Sequence, residues 1–155
     1  MNKHNLLLLS FLFSAVLAFA QNDAAEKMKL FNDGKYAEVV EYFEQQYRQN
    51  PTEFYEPLRV CYTALKRYDD AEKLIGKQLK KTRNPILYID LGYIQGQNKK
   101  PTEAEESYQI ALNTISQNPG LAYMYSEKFS SYGLYKLALA AFETAERTDP
   151  NIVFH

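Results

Sequence analysis

Few residues of this 155-residue chain belong to the types that catalyse reactions. Its two histidines are His4, near the start, and His155, the last residue, so the body of the sequence has none for a catalytic triad, a general base or a metal site. The only cysteine, Cys61, lies in the largely apolar stretch 58–62, where a buried and unreactive thiol is commoner than a nucleophile. The residue types therefore predict a protein that is not an enzyme and that binds no cofactor or metal.

Two weaker patterns were weighed against simpler explanations. The stretch from Gly92 to Gly96 lacks the preceding strand and the further glycine of a dinucleotide site, so we expect Gly92 to serve close helix packing. The adjacent carboxylates Asp69-Asp70 and Glu105-Glu106 point to different parts of a helix surface. They are typical of solvated faces.

Charge and composition favour a binding protein without a nucleic-acid partner. The 18 basic and 19 acidic residues are spread along the whole chain, which leaves a formal net charge of -1 and no basic stripe. The 13 tyrosines and 9 phenylalanines supply large side chains, used first for packing and second for recognition.

The amino terminus predicts export. Lys3 precedes an apolar run over residues 6–17, and Ala18-Phe19-Ala20 then forms a small-x-small cleavage site. We interpret residues 1–20 as a signal peptide, with an uncleaved anchor as the alternative. The mature chain is then periplasmic or secreted, has no membrane span and, with one cysteine, has no internal disulfide.

Prolines recur at a regular spacing along the chain. Asn50-Pro51, Asn84-Pro85 and Asn118-Pro119 follow one another at intervals of 34 residues, and Asp149-Pro150 comes 31 residues later. Each pair can end one helix and begin the next, because the residue before proline avoids the α region while proline fits a first turn. This period predicts repeated helix pairs.

A second pattern lies midway between the prolines. Four segments, over residues 34–39, 66–71, 99–104 and 133–138, each begin as a turn, continue as a helix start and are followed four residues later by a large apolar side chain. The segments end in Val39, Ala71, Ala104 and Ala138, and the large side chains are Phe43, Ile75, Tyr108 and Phe142. Spacings of this kind place residues on one helical face, and no strand-like alternation competes. The sequence therefore predicts an all-α fold.

These residues resemble the tetratricopeptide repeat family over essentially everything after residue 20. The fourth unit matches best, and the matching residues are Tyr125, Ser126, Phe129, Gly133, Tyr135, Ala138, Phe142, Ala145 and Pro150. The resemblance implies a right-handed superhelical solenoid of antiparallel helix pairs, with an irregular first unit over 21–51, further units over 52–84, 85–118 and 119–151, and the start of a possible further helix at 152–155. The side chains implied to pack the repeats are Val39, Phe43, Ala71, Ile75, Leu91, Gly92, Ala104, Tyr108, Ala111, Ser126, Ala138, Phe142 and Ala145.

Two irregularities carry local expectations. Pro57 cannot donate a backbone hydrogen bond, so we expect it to shorten or bend the start of its helix. Pro119 comes three residues later than the repeat pattern requires, so the second helix of the third unit should be longer or end in a looser loop.

The resemblance also implies a concave groove, lined by the first helix of each unit, that binds a protein or peptide segment. The groove positions correspond to Phe31, Glu56, Thr63, Ile89, Asp90, Tyr93, Gln97, Tyr123, Met124 and Glu127. The expected function is an exported scaffold. The alternatives are the amino-terminal interaction region of a larger exported enzyme or signalling protein, and a glycan-binding module that uses Tyr93 and Tyr123.

Overall fold

The structure is a computed structural model that describes residues 23–152. The predicted signal peptide and residues 153–155 lie outside the described part. Eight α-helices form, and the described residues contain no strand, so the prediction of an all-α fold is confirmed. The helices are α1 over residues 23–32, α2 Tyr36–Gln49, α3 Pro51–Ala64, α4 Tyr68–Thr82, α5 Leu87–Gln97, α6 Pro101–Gln117, α7 Ala122–Ser131 and α8 Tyr135–Thr148, with a 3-10 turn at Pro119–Leu121.

The chain divides into two compact units, one ending at Leu65 and the other beginning at Lys66. Among residues 23–152, none of the helices combines the length and the apolar character that a bilayer crossing requires. Ile152 follows a turn, is not helical, and packs on the core of the second unit.

The first unit is held together by apolar side chains of α2 and α3. Phe43 and Leu58 are almost completely buried, and α2 packs along α3. The ring of Phe43 lies 5.4 Å from that of Phe31 and 6.0 Å from that of Phe54, so aromatic contacts join all three helices of the unit.

Helix α3 begins earlier than Pro57 predicts. Asn50 caps it, because its Oδ1 accepts a hydrogen bond from the backbone N–H of Glu53 at 3.4 Å, and Pro51 occupies the first turn. The helix then continues through Pro57 to Ala64, so the expected shortening is wrong. Proline removes one backbone donor, and the buried face of α3 outweighs that loss.

The second unit contains α4 to α8, with one core. Helix α5 packs between α4 and α6, and α8 packs against α6 and α7. Tyr125, Phe129, Ile115 and Ala145 are among the fully buried side chains of this core. Helix α6 has 17 residues whereas α4 has 15 and α8 has 14, as the late position of Pro119 predicts.

One turn geometry occurs four times at the repeat spacing. Gly34, Lys66, Lys99 and Gly133 all have positive φ, between 58° and 76°. After three of these residues, the next backbone N–H bonds back to a carbonyl five residues earlier, from Lys35 to Leu30, from Lys100 to Gln95 and from Leu134 to Phe129. This is the left-handed termination of a helix, and its recurrence matches the phase of the sequence pattern.

Most of the predicted repeat-packing residues lie in the helix interior. Leu91 and Phe142 are half-buried, and the buried members are Val39, Phe43, Ala71, Ile75, Gly92, Ala104, Tyr108, Ala111, Ser126, Ala138 and Ala145. Gly92 lies against α6: a Cβ built there would be 2.5 Å from Cε1 of Tyr108 and 3.0 Å from the carbonyl oxygen of Ala104. The absence of a side chain therefore allows α5 and α6 to approach closely.

Polar contacts on the surface of this unit hold the turn before α6 against α4. The Asn98 amide donates to Asp69 at 2.9 Å and to Glu72 at 2.7 Å, and Lys100 Nζ lies 2.8 Å from the same Glu72 oxygen. The hydrogen bond from Asn98 and the charge of Lys100 lower the pKa of Asp69. Asp69 therefore belongs to a charged network between elements.

Candidate functional site

The described residues offer no assembled catalytic centre. No group of three or more His, Cys, Asp or Glu side chains within residues 23–152 is placed to hold a metal ion. Cys61 is 0% exposed, and its burial raises the pKa of the thiol to about 11. The thiolate needed for nucleophilic chemistry is therefore disfavoured at neutral pH.

The most structured polar cluster of the second unit is built around Asp90 of α5. Asp90 is 2% exposed, and its Oδ1 accepts from Lys128 Nζ at 2.8 Å and from the Tyr132 hydroxyl. A buried carboxylate is tolerated only when it is paired and hydrogen-bonded, and both conditions hold here. The pair joins α5 to α7.

Aromatic contacts extend this cluster toward the surface. The rings of Tyr93 and Tyr132 stack with centroids 4.1 Å apart and planes inclined by 12°, and Lys128 Nζ lies 5.3 Å from the centroid of the Tyr132 ring. Tyr93, Lys128 and Tyr132 are each half-buried. The cluster thus fixes the orientation of α7 and leaves parts of three polar side chains accessible.

Beside this cluster, α7 presents an apolar and acidic face to solvent. Tyr123 is 50% exposed and Met124 is 45% exposed, although side chains of this kind are usually buried. Glu127 lies one helical turn beyond Tyr123, and its hydrogen bond and negative charge raise the pKa of the Tyr123 hydroxyl. We define Tyr93, Tyr123, Met124, Glu127 and Lys128 as the α5–α7 surface.

Two predicted groove residues need correction. Ile89 is 0% exposed and belongs to the hydrophobic core, because it lies on the inner face of α5. Asp90 is buried and already paired with Lys128. Neither side chain offers a surface to a partner, whereas Gln97, at the end of α5, is exposed.

The groove residues predicted in the first unit are partly engaged in local contacts. Phe31 is half-buried and makes ring contacts with Tyr36 and Phe43 at 5.6 and 5.4 Å. Glu56 is exposed and forms an ion pair with Arg59, and the Thr63 hydroxyl donates to the Arg59 carbonyl at 2.8 Å. These residues form no cluster comparable with the α5–α7 surface.

Sequence reasoning did not find Lys128 and Tyr132. A signal for them was present, since the two residues are one helical turn apart and follow the predicted positions Met124 and Glu127 on the same helix. Their link to Asp90 spans 42 residues in the case of Tyr132, and no local pattern reports a contact at that separation.

No protein-family model matches this chain, and no curated protein shows significant similarity to it.

Proposed function

We propose that this protein is an exported scaffold of the tetratricopeptide kind that binds a protein or peptide segment on the α5–α7 surface. The repeated turns at Gly34, Lys66, Lys99 and Gly133 support a solenoid of antiparallel helix pairs, because equal turns in equal phase give equal helix pairs. The apolar start of the chain supports export.

The exposure of Tyr123 and Met124 is the observation that carries the binding proposal. Two large adjacent side chains at the start of α7 remain about half accessible while the opposite face of that helix is buried. Tyrosine provides a rigid apolar ring with a polar end, and methionine adapts its shape to a partner. Both residue types are enriched at protein interfaces.

The rigid support beneath this surface favours affinity. The Asp90 pair and the Tyr93–Tyr132 stack hold α7 on α5, so the exposed side chains stand on a fixed backbone. A surface that is already ordered loses less conformational entropy on binding. Glu127 adds a negative charge, which favours a segment with a basic residue next to an apolar one.

The test is a selection from a peptide library, followed by calorimetry with the selected peptides. We expect peptides selected on the purified chain to lose at least about tenfold in affinity for a variant carrying Tyr93→Ala, Tyr123→Ala and Glu127→Ala. The matched control is Ile110→Ala, which removes another exposed apolar side chain, 42% accessible, on α6. Equal affinity for the triple variant and the parent chain would contradict the proposal.

A glycan array run with the same proteins separates peptide from sugar recognition. One face of the Tyr93 ring is covered by Tyr132, which leaves less aromatic surface for a sugar to stack on. Sugar binding that Tyr123→Ala abolishes would favour the glycan-binding alternative over a peptide scaffold.

A further inference from the structure

Helix α8 carries an exposed apolar strip that the proposed function does not use. Tyr135 is 72% exposed and Leu139 is 59% exposed, and Phe142 lies half-buried one turn further along. The spacing of four and then three places the three side chains on one stripe. The other side of the helix, with Ala141 and Ala145, is fully buried in the core.

Charges on this side of α8 change sign along the helix. Lys136 lies in the first turn, whereas Glu143 and Glu146 lie in the second half, and all three are exposed. None of the three forms a salt bridge with a described residue. The Arg147 guanidinium instead turns back on its own helix, toward the Glu143 carbonyl oxygen at 3.3 Å and the Thr144 hydroxyl at 3.2 Å.

We propose that α8 is a self-association surface and that its occupant is α8 of a second copy of this chain, packed antiparallel about a two-fold axis. In this arrangement, with the axis near the middle of the helix, Leu139 of each copy lies beside Phe142 of the other. Lys136 of each copy then faces the acidic half of the other helix, where Glu143 and Glu146 lie.

The sign change along α8 selects the antiparallel arrangement. A parallel pair would place the carboxylates of Glu143 and Glu146 next to their own copies and Lys136 next to Lys136, which is repulsive. The two-fold antiparallel pair forms each attractive contact twice, as an isologous interface requires. Opposed helix dipoles favour the same arrangement.

The size of the strip sets the expected strength. One helix of 14 residues presents about 21 Å of length, so the interface falls below the area of a stable dimer. We therefore expect a weak dimer, with a dissociation constant on the order of 10 to 100 µM.

Sedimentation of the purified chain at concentrations from about 1 µM to about 1 mM tests the proposal. We expect a shift from monomer to dimer over this range, and Leu139→Asp should weaken dimerisation at least about tenfold by placing a carboxylate in the apolar strip. The matched control is Ile110→Asp, the same change at an exposed apolar residue of α6. A monomer at every concentration would overturn the proposal, as would a dimer that Leu139→Asp leaves unchanged.

Charge reversal tests the orientation. Lys136→Glu alone, and Glu143→Lys with Glu146→Lys, each place like charges opposite each other, so each variant alone should dimerise at least about tenfold more weakly than the parent. A one-to-one mixture of the two variants should form a heterodimer, because both charge contacts are restored with exchanged signs. Both reversals suit the helix dipole, so the fold should persist, which circular dichroism verifies. No recovery in the mixture would overturn the antiparallel pairing.

Discussion

Gly92 and Gly76 both lie inside helices, and their surroundings differ. Gly92 faces the Tyr108 ring and the Ala104 carbonyl, and any Cβ would overlap them. Gly76, in α4, has nothing within 4 Å of the position that a Cβ would take. One glycine serves helix packing, whereas the other costs helix stability without a packing role.

We predict that Gly92→Ala and Gly76→Ala change stability in opposite directions. Gly92→Ala should lower the free energy of unfolding by about 1–3 kcal/mol, because the new methyl group forces α5 and α6 apart. Gly76→Ala should raise it by about 0.5–1 kcal/mol, since alanine has the higher helix propensity. Urea denaturation measures both changes, and a Gly92→Ala protein as stable as the parent would contradict the close approach.

The buried thiol of Cys61 predicts a loss of stability in alkali. Its pKa is raised from 9.0 to about 11 by burial, so between these pH values the unfolded chain has released a proton that the folded chain still holds. The free energy of unfolding should therefore fall by up to about 1.4 kcal/mol for each pH unit in this window.

Denaturation curves at several pH values, for the parent and Cys61→Ala, isolate this contribution. The variant should lose less stability between pH 9.0 and about 11 than the parent does. Burial also raises the pKa of Tyr108 to about 12, which adds a similar loss at higher pH in both proteins. Equal slopes in the two proteins would show that Cys61 ionises without unfolding.

At the level of the elements, α5 and α7 are joined by one buried carboxylate. Asp90 has a side chain 3% exposed, whereas its partner Lys128 has one 26% exposed. The two charges therefore differ in their access to water when the partner is removed. Lys128 can turn its ammonium group to solvent, while Asp90 remains in the core.

We predict that Lys128→Met destabilises the protein more than Asp90→Leu does. Lys128→Met leaves an unpaired buried carboxylate and should cost about 3 kcal/mol, and Asp90→Leu should cost about 1–2 kcal/mol because Lys128 can reach water. The double variant should be more stable than Lys128→Met alone, since it contains no buried unpaired charge. Additive losses in the double-mutant cycle would contradict a direct interaction between the two residues.

For the whole molecule, we predict export with removal of the first 20 residues. When the chain is expressed in a bacterium, the protein recovered outside the cytoplasm should begin at Gln21, as measured by intact mass. Leu8→Arg with Leu9→Arg interrupts the apolar run and should leave an uncleaved protein inside the cell. Membrane-bound protein with an intact amino terminus would instead support the anchor alternative.

The sequence by itself determined the helical class and the phase of the repeats. Proline pairs 34 residues apart, the turns at Gly34 and Gly133 and the greater length of α6 depend on interactions within a few residues. Such interactions are local, and a residue pattern reports them directly. The effect of Pro57 was mispredicted because the buried face of α3 outweighs one missing hydrogen bond.

Only the tertiary structure decided which of these residues face solvent and which contacts form. Tyr123 and Tyr125 are two positions apart on α7, yet one is 50% exposed and the other 1% exposed. Ile89, predicted for the groove, lies in the core, and Asp90 meets Tyr132 across 42 residues of sequence. Burial and ion pairing depend on how separate helices pack, which the spacing of residues along one helix does not specify.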